Sequence, residues 1–470
     1  MSDVIWASAG QMGYYLVSFV TNVILARIII PNEFGKFGIV FFIISVARVL
    51  SESGLGGAII RNNKAKEVDY STIFIFNLII SLLLMLLLIF IADYVALFYD
   101  DSELKNVIIF SSFALIINAF HFIQITNVIK KMRFKAKALY DFGAIVISSI
   151  IAIILAKLGY GIWSLVSMQL FTVFISGLLM WIFEDRIKYL VFSYDSFLFH
   201  FNFGINTTIA SVLSNVFNNL NIVLIGKYFN LVQSGFYYQA YRLQDAPIGI
   251  INYLNQNVIY SSLAKLQDDK PQFARTYRAI VRVLSVVTIY ICMILYVFSD
   301  GIVETIYGVN WKGSGYYLRV LSLAGFFFIQ EMFIRNLFKI FNQTFYVLKL
   351  ELIKKVVHML TLVVSITLLR IDLLLYGYLF TNILSFLFNY IVSRRVYPFL
   401  GLNDISTILK LVVIFFLIDS AIRFIDFYLY NQFNLILGFI IASILYLFAL
   451  IILQVVKRND LRNLLAQEKK

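Results

Sequence analysis

Residues 72–92 read Thr72-Ile-Phe-Ile-Phe-Asn77-Leu-Ile-Ile-Ser81-Leu-Leu-Leu-Met85-Leu-Leu-Leu-Ile-Phe-Ile-Ala92, a run without a charged side chain, bounded by Glu67 and Asp69 on one side and Asp93 on the other. About 20 apolar residues in a helix cross the hydrocarbon of a bilayer, and only a helix or a closed barrel satisfies its own backbone there. This stretch therefore predicts a membrane-spanning helix. Similar runs fill the rest of the chain. The fourteen predicted spans are 8–28, 37–59, 72–92, 106–129, 138–156, 161–183, 203–226, 235–260, 280–299, 315–338, 344–369, 373–393, 409–427 and 433–456. The composition agrees: 61% of the 470 residues are hydrophobic and 14% charged, against about 45–50% and about 25% in soluble domains. Fourteen spans with short joints leave no room for a large soluble catalytic or nucleotide-binding domain.

The single cysteine, Cys292, lies in an apolar run, so no disulfide framework or cysteine metal site is possible within the chain. His121, His200 and His358 are scattered and form no metal-ligand pair. The start, MSDVIWASAG, lacks a basic region and a small-residue cleavage site, and reads as having no cleaved signal peptide. The formal charge of +13 would suggest nucleic acid in a soluble protein. Here the basic residues alternate with the joints, and no nucleic-acid partner is expected. The joints after even-numbered spans, together with the tail, carry 25 Lys and Arg, among them Lys130, Lys131, Arg133, Lys135 and Lys137. The joints after odd-numbered spans carry eight, and one of them holds the acidic group Asp93, Asp100, Asp101 and Glu103. The positive-inside rule then places both termini in the cytoplasm. Six basic residues remain inside spans or near their ends: Arg48, Arg242, Arg319, Lys349, Lys354 and Lys355.

A faint repeat is present. Asn22-Val-Ile-Leu25-Ala-Arg27, followed by Phe34-Gly35, is matched about 200 residues later by Asn221-Ile-Val-Leu224-Ile-Gly-Lys227, followed by Ser234-Gly235. Six spans separate the copies, so two halves of equal orientation would be related by an axis along the membrane normal. The expected organisation is spans 1–6 in residues 1–197, spans 7–12 in 198–400, and two further helices with a cytoplasmic tail in 401–470.

Several motifs then carry a resemblance. Leu25-Ala26-Arg27-Ile-Ile-Ile-Pro31-Asn-Glu33-Phe34-Gly35 resembles the LAR-x-L-x-P-x-E-F-G pattern of polysaccharide transporters. Glu52-Ser-Gly54-Leu55-Gly-Gly-Ala58-Ile-Ile-Arg61, Ser71-Thr72-Ile-Phe74-Ile-Phe-Asn77, Phe98-Tyr99 and Lys131-Met-Arg133-Phe134-Lys135 follow in that family's order. So do Gly159-Tyr160-Gly161-Ile-Trp163-Ser-Leu165, Ile225-Gly226-Lys227, and Tyr307-Gly308 with Trp311. The chain resembles the oligosaccharide-lipid flippases of the multidrug/oligosaccharidyl-lipid/polysaccharide exporter superfamily, nearest to the colanic-acid-type and teichuronic-acid-type exporters. The likeness runs to about residue 340. Position 52 is Glu where that pattern has Asp, which keeps the charge.

The resemblance implies an all-α membrane protein of about 14 transmembrane helices. Two six-helix lobes with pseudo-two-fold symmetry would surround a central cavity, and two C-terminal helices would follow. It implies a flippase, not an enzyme, in the cytoplasmic membrane. The flippase would turn an undecaprenyl-pyrophosphate-type lipid-linked oligosaccharide to the outer leaflet by alternating access. Membrane lipids, a polysaccharide polymerase and other assembly proteins are the partners implied. No cofactor is expected, and coupling to a Na+ or H+ gradient stays open.

Such a cargo needs cations for its pyrophosphate and amides for its sugars, because unpaired polar groups cost several kcal/mol to bury. Arginine suits phosphate, since its fork meets two oxygens at once. The candidate substrate-binding residues are therefore Arg27, Arg48 and Arg242. Glu52 and Asp245 stand four and three residues beyond the last two, on the same helix face. Asn77, Asn215, Asn219, Gln239 and Lys227 complete the set. The competing reading of these charges and amides is that they neutralise one another and lock helices together. The row Lys349, Glu351, Lys354, Lys355, His358 reads as a helix start near cytoplasmic headgroups, or alternatively as a portal that attracts phosphate. Glu331 and Arg335 read as a structural pair.

Two other functions compete. A multidrug antiporter of the same superfamily would be expected to have twelve spans and an acidic site. A polysaccharide polymerase or lipid-linked glycosyltransferase needs a catalytic apparatus, and the outer joints, about 15 residues at most, hold no paired acid and base.

Overall fold

The computed structural model describes residues 2–398, 403–428 and 435–453. Among the described residues every regular element is a helix. Its helices are α1 (Ser2–Ile28), α2 (Pro31–Glu52), α3 (Leu55–Arg61), α4 (Glu67–Tyr99), α5 (Glu103–Lys130), α6 (Phe134–Lys157), α7 (Ile162–Phe183) and α8 (Tyr194–Tyr228). After α9 (Leu231–Leu254) comes a π-helical turn, Asn255–Ile259. Then follow α10 (Tyr260–Ala264), α11 (Lys270–Val297), α12 (Ser299–Tyr307), α13 (Ser314–Ile340), α14 (Thr344–Thr367), α15 (Ile371–Val396), α16 (Asn403–Tyr428) and α17 (Leu435–Ile452).

Among the described residues, eleven helices are long and apolar enough to cross a membrane by length and composition. Three more, α1, α9 and α14, lie on the predicted spans 8–28, 235–260 and 344–369 and complete the fourteen. They fall below the apolar threshold because they carry the polar residues singled out above: Asn22 and Arg27; Gln239, Arg242 and Asp245; Lys349 to Lys355.

Local chemistry sets the helix ends. Pro31 opens α2 with its φ already helical. Asp269 caps α11 by accepting from the Gln272 N–H at 2.9 Å. The predicted span 37–59 is not one helix. Ser53 and Gly54 adopt left-handed φ of 48° and 63°, which ends α2 and starts the short α3. Several helices outrun their predicted spans: α4 has 33 residues and α8 has 35. The predicted joint 262–282 is largely helical, since α11 begins at Lys270. The basic tail 457–470 and the expected boundary at 400 lie outside the described residues.

The chain forms two compact units, residues 1–238 and 239–470. In the first, α4 packs on α5, α5 and α6 on α7, α1 on α6, and α2 on α8. Between apolar helices in lipid, close backbone approach and polar bonds replace the hydrophobic driving force. A Cβ placed on Gly35 would stand 1.9 Å from the Leu231 carbonyl oxygen. One placed on Gly235 would stand 2.0 Å from that of Pro31. Each glycine faces the carbonyl four residues before the other, at an offset of 200. The repeat seen in the sequence is thus a symmetric crossing of the starts of α2 and α9.

The basic joint after α5 is used internally. Lys130 Nζ donates to the Ile59 and Asn62 carbonyls at 2.9 and 2.6 Å, capping α3. Lys131 pairs with Asp185 at 2.6 Å, which holds that exposed carboxyl below its ordinary range. Arg133 pairs with the buried Glu184 at 2.6 Å. The extended segment 184–193 is laid on α4: the Val191 and Ser193 N–H groups donate to Ser71 Oγ and Thr72 Oγ1 at 2.6 and 3.0 Å.

In the second unit α13 is central. Its apolar stretch is 78% buried, against 17% for α17. It packs on α15, α11 and α12 and buries Phe326, Phe333 and Phe338, while α14 lies on α15 and α16 on α11.

Candidate functional site

On α2, Ser45, Arg48 and Glu52 recur at spacings of three and four and share one face. That face meets α8 and α5. Ser45 Oγ donates to Asn215 Oδ1 at 3.0 Å. Asn219 Nδ2, one turn on, donates to the backbone and side-chain oxygens of Asn215 at 3.0 and 3.2 Å. Arg48 Nε lies 3.6 Å from Glu52 Oε1, and the arginine side chain keeps 47% of its surface exposed. The same Oε1 accepts from Asn118 Nδ2 of α5 at 3.0 Å. The structure thus brings Arg48, Glu52, Asn215 and Asn219 onto adjoining faces of the first unit. The result is a polar strip with one half-exposed cation, on helices that are otherwise largely apolar.

The other candidates lie elsewhere. Lys227 is 12 residues beyond Asn215, about 18 Å along α8 at 1.5 Å per residue. There it donates to the Phe98 carbonyl, sits over the Phe98 ring at 4.6 Å and lies 3.8 Å from Asp100. It ties α8 to the end of α4. Asn77 is fully buried in α4, its Oδ1 accepting from Ser81 at 3.3 Å. Arg27 is exposed in the last turn of α1.

In the second unit, Gln239 is fully buried, and neither atom of its amide has a hydrogen-bond partner among the described residues. A buried amide left so costs about 1–3 kcal/mol. Arg242 and Asp245 are exposed, one turn apart on the same helix, α9. The predicted Glu331–Arg335 pair is present and part of a longer chain between α13 and α14. Glu331, fully buried, also pairs with Lys354 at 2.8 Å, and Arg335 with Glu351. Lys355 follows at 3.9 Å from Glu351, while Lys349 remains exposed.

Sequence reasoning passed over Asn118 and Ser45. Asn118 lay open to the rule that flagged the other amides, since it interrupts an apolar span. Its partner Glu52, 66 positions away, could not be read from spacing.

A family model described as "Polysaccharide biosynthesis protein" matches residues 24–316. The succinoglycan biosynthesis transport protein ExoT of Rhizobium meliloti (strain 1021) is 23% identical over 322 residues, 68% of this chain and 65% of that protein. The lipopolysaccharide biosynthesis protein WzxC of Escherichia coli (strain K12) is 22% identical over 333 residues, again 68% and 65%. The teichuronic acid biosynthesis protein TuaB of Bacillus subtilis (strain 168) is 21% identical over 327 residues, 69% of this chain and 68% of that one. The chain thus spans about two thirds of the length of these relatives.

The fold is shared more widely. The lipid II flippase MurJ in an inward closed conformation superposes with a TM-score of 0.72 at 16% identity, over 95% of this chain and 98% of MurJ. An inward-facing multidrug resistance MATE transporter gives 0.60 at 15% identity, over 85% and 98%. These likenesses establish the fold. The family match covers well over half of the residues, from the arginine motif of α1 to the start of α13, and the chain belongs to this family of polysaccharide biosynthesis proteins.

Proposed function

We propose that the protein is a flippase that moves an isoprenoid-pyrophosphate-linked oligosaccharide across the cytoplasmic membrane by alternating access. It would do so with both termini on the cytoplasmic side and without covalent chemistry. The observation that carries the reading is the half-exposed guanidinium of Arg48 on a strip of amides, inside a chain built otherwise to sit in lipid. A charge held within the membrane marks a substrate path by default. A fork-shaped cation one turn from the Ser45–Asn215 bond, with Asn219 a turn further along α8, suits an anion followed by hydroxyls. In this reading Arg48 takes phosphate oxygens, Asn215 and Asn219 take sugar hydroxyls, and Glu52 orients Arg48. Arg242, Gln239 and Asp245 would serve the cargo from α9, and Arg27 and Lys227 would act at helix ends. The polyprenyl tail needs no polar partner and stays in hydrocarbon.

The names of ExoT, WzxC and TuaB, from succinoglycan, lipopolysaccharide and teichuronic acid biosynthesis, support this choice over a multidrug antiporter, as does a half-exposed arginine on that strip. The test is deletion of this reading frame in its host. Lipid-linked oligosaccharide should accumulate on the cytoplasmic leaflet while surface polysaccharide falls, and the intact gene should restore export. Unchanged surface polysaccharide with no accumulated precursor would overturn the reading.

A further inference from the structure

The pair formed by Arg48 and Glu52 is held open. Left to themselves, an arginine and a glutamate four apart on a helix can close to a short, charge-assisted contact of about 2.7–2.9 Å. Here Nε stands 3.6 Å from Oε1, beyond hydrogen-bond range. The same oxygen has a second partner on the neighbouring helix: Asn118, only 4% exposed on α5, donates to Glu52 Oε1 at 3.0 Å. An arginine offers five N–H donors. Among the described residues none of those of Arg48 finds an acceptor inside the protein, and Glu52 is its one ion-pair partner.

We propose that Asn118 is a positioning residue for the anion site. By occupying Glu52 Oε1 it keeps the carboxylate near enough to orient Arg48 and too far to neutralise it, so the Nη edge stays free for two oxygens of a phosphate. The inference rests on the assignment of Arg48 as the anion-binding residue. It adds a division of labour: α2 supplies the cation and its counter-charge, and α5 sets the distance between them. Without Asn118, Glu52 closes on Arg48 and competes with the incoming phosphate.

The test uses the purified full-length protein in detergent, with geranylgeranyl pyrophosphate as the probe and binding measured by calorimetry at one ionic strength. Asn118→Ala should weaken binding about tenfold, the size expected when a charge-assisted contact is lost to a competitor. Asn118→Leu, closer in volume, should do the same and guards against a packing defect. Adding Glu52→Gln to Asn118→Ala removes the competing charge and should return the affinity to within about threefold of the parent. A purely structural asparagine predicts no such rescue, because the double variant would lack two bonds instead of one. The proposal is overturned if Asn118→Ala and Asn118→Leu bind the probe like the parent, or if the double variant binds no better than Asn118→Ala. Arg48→Gln separates this from the underlying assignment. If it binds normally, Arg48 is not the anion site, and both ideas fall. If it loses binding while the Asn118 variants keep theirs, the site stands and only the positioning role falls.

Discussion

A guanidinium inside a membrane protein costs several kcal/mol to hold without compensation, and Arg48 is compensated loosely, by one carboxylate at 3.6 Å. If the two charges served only to neutralise each other on α2, deleting both would be nearly neutral, because neither partner would be left alone. For a phosphate ligand the opposite is expected. Arg48→Gln should abolish surface polysaccharide, and Arg48→Gln with Glu52→Gln should stay inactive. Glu52→Gln alone should keep export within about threefold, because the fork survives. Restored export in the double variant would remove Arg48 from the substrate path. Arg242 invites a graded comparison, since it is exposed on α9 beside Asp245. Arg242→Lys keeps the charge and loses the fork, so export should fall in part. Arg242→Gln should stop export at unchanged membrane abundance. Normal export by that variant would exclude it from the site, and disappearance of the protein would make it a structural residue.

Helix crossings divide what the sequence could tell from what it could not. The starts of α2 and α9 touch through Gly35 and Gly235, each with a backbone carbonyl where a Cβ would be. Backbone cannot rotate aside as a flexible side chain can, so Gly35→Ala and Gly235→Ala should each destabilise by about 1–3 kcal/mol. The unfolding temperature in detergent should drop for both. Gly57→Ala, at a site with no atom within 4 Å of the added carbon, should leave it unchanged. Equal stability of all three would show that the crossing is loose. The span pattern and the copy of Gly35 at Gly235 were legible because hydropathy and local motifs are written in contiguous residues. The break after α2 was read through as one span, whereas Ser53 and Gly54, with left-handed φ of 48° and 63°, end the helix there. The Arg48–Glu52 pair was legible from a spacing of four. The bonds of Asn118 and Ser45 were not, because their partners come from other helices, although Asn118 itself interrupts an apolar span. Lys227 matched a family motif, yet its contacts with Phe98 and Asp100 place it at the end of α8, far along the helix from Asn215.

The sidedness of the chain can be argued from which joints meet. In the first unit, Lys36 near the start of α2 pairs with Asp101 and Glu103, at the joint between α4 and α5, at 2.9 and 2.7 Å. Glu33 in turn accepts from the Ile162 N–H at the start of α7, at 3.0 Å. The joints after the first, third and fifth spans therefore share one end of the unit. At the other end, Lys130 reaches Ile59 and Asn62, and Arg133 reaches Glu184, so the joints after the second, fourth and sixth spans are together. A missed or invented span would have mixed these two sets. These contacts fix the alternation of the first six spans. From the 25-to-8 division of Lys and Arg we propose that the basic end is the cytoplasmic one, because basic joints tend to be retained inside. A reporter active only outside the cell should thus be active when fused after Asp100 or Tyr307, and silent after Arg133 or Lys270. Activity after Arg133 with silence after Asp100 would invert the chain in the membrane while leaving the alternation intact. Activity at both Asp100 and Arg133 would break the alternation, and with it the fourteen-span assignment.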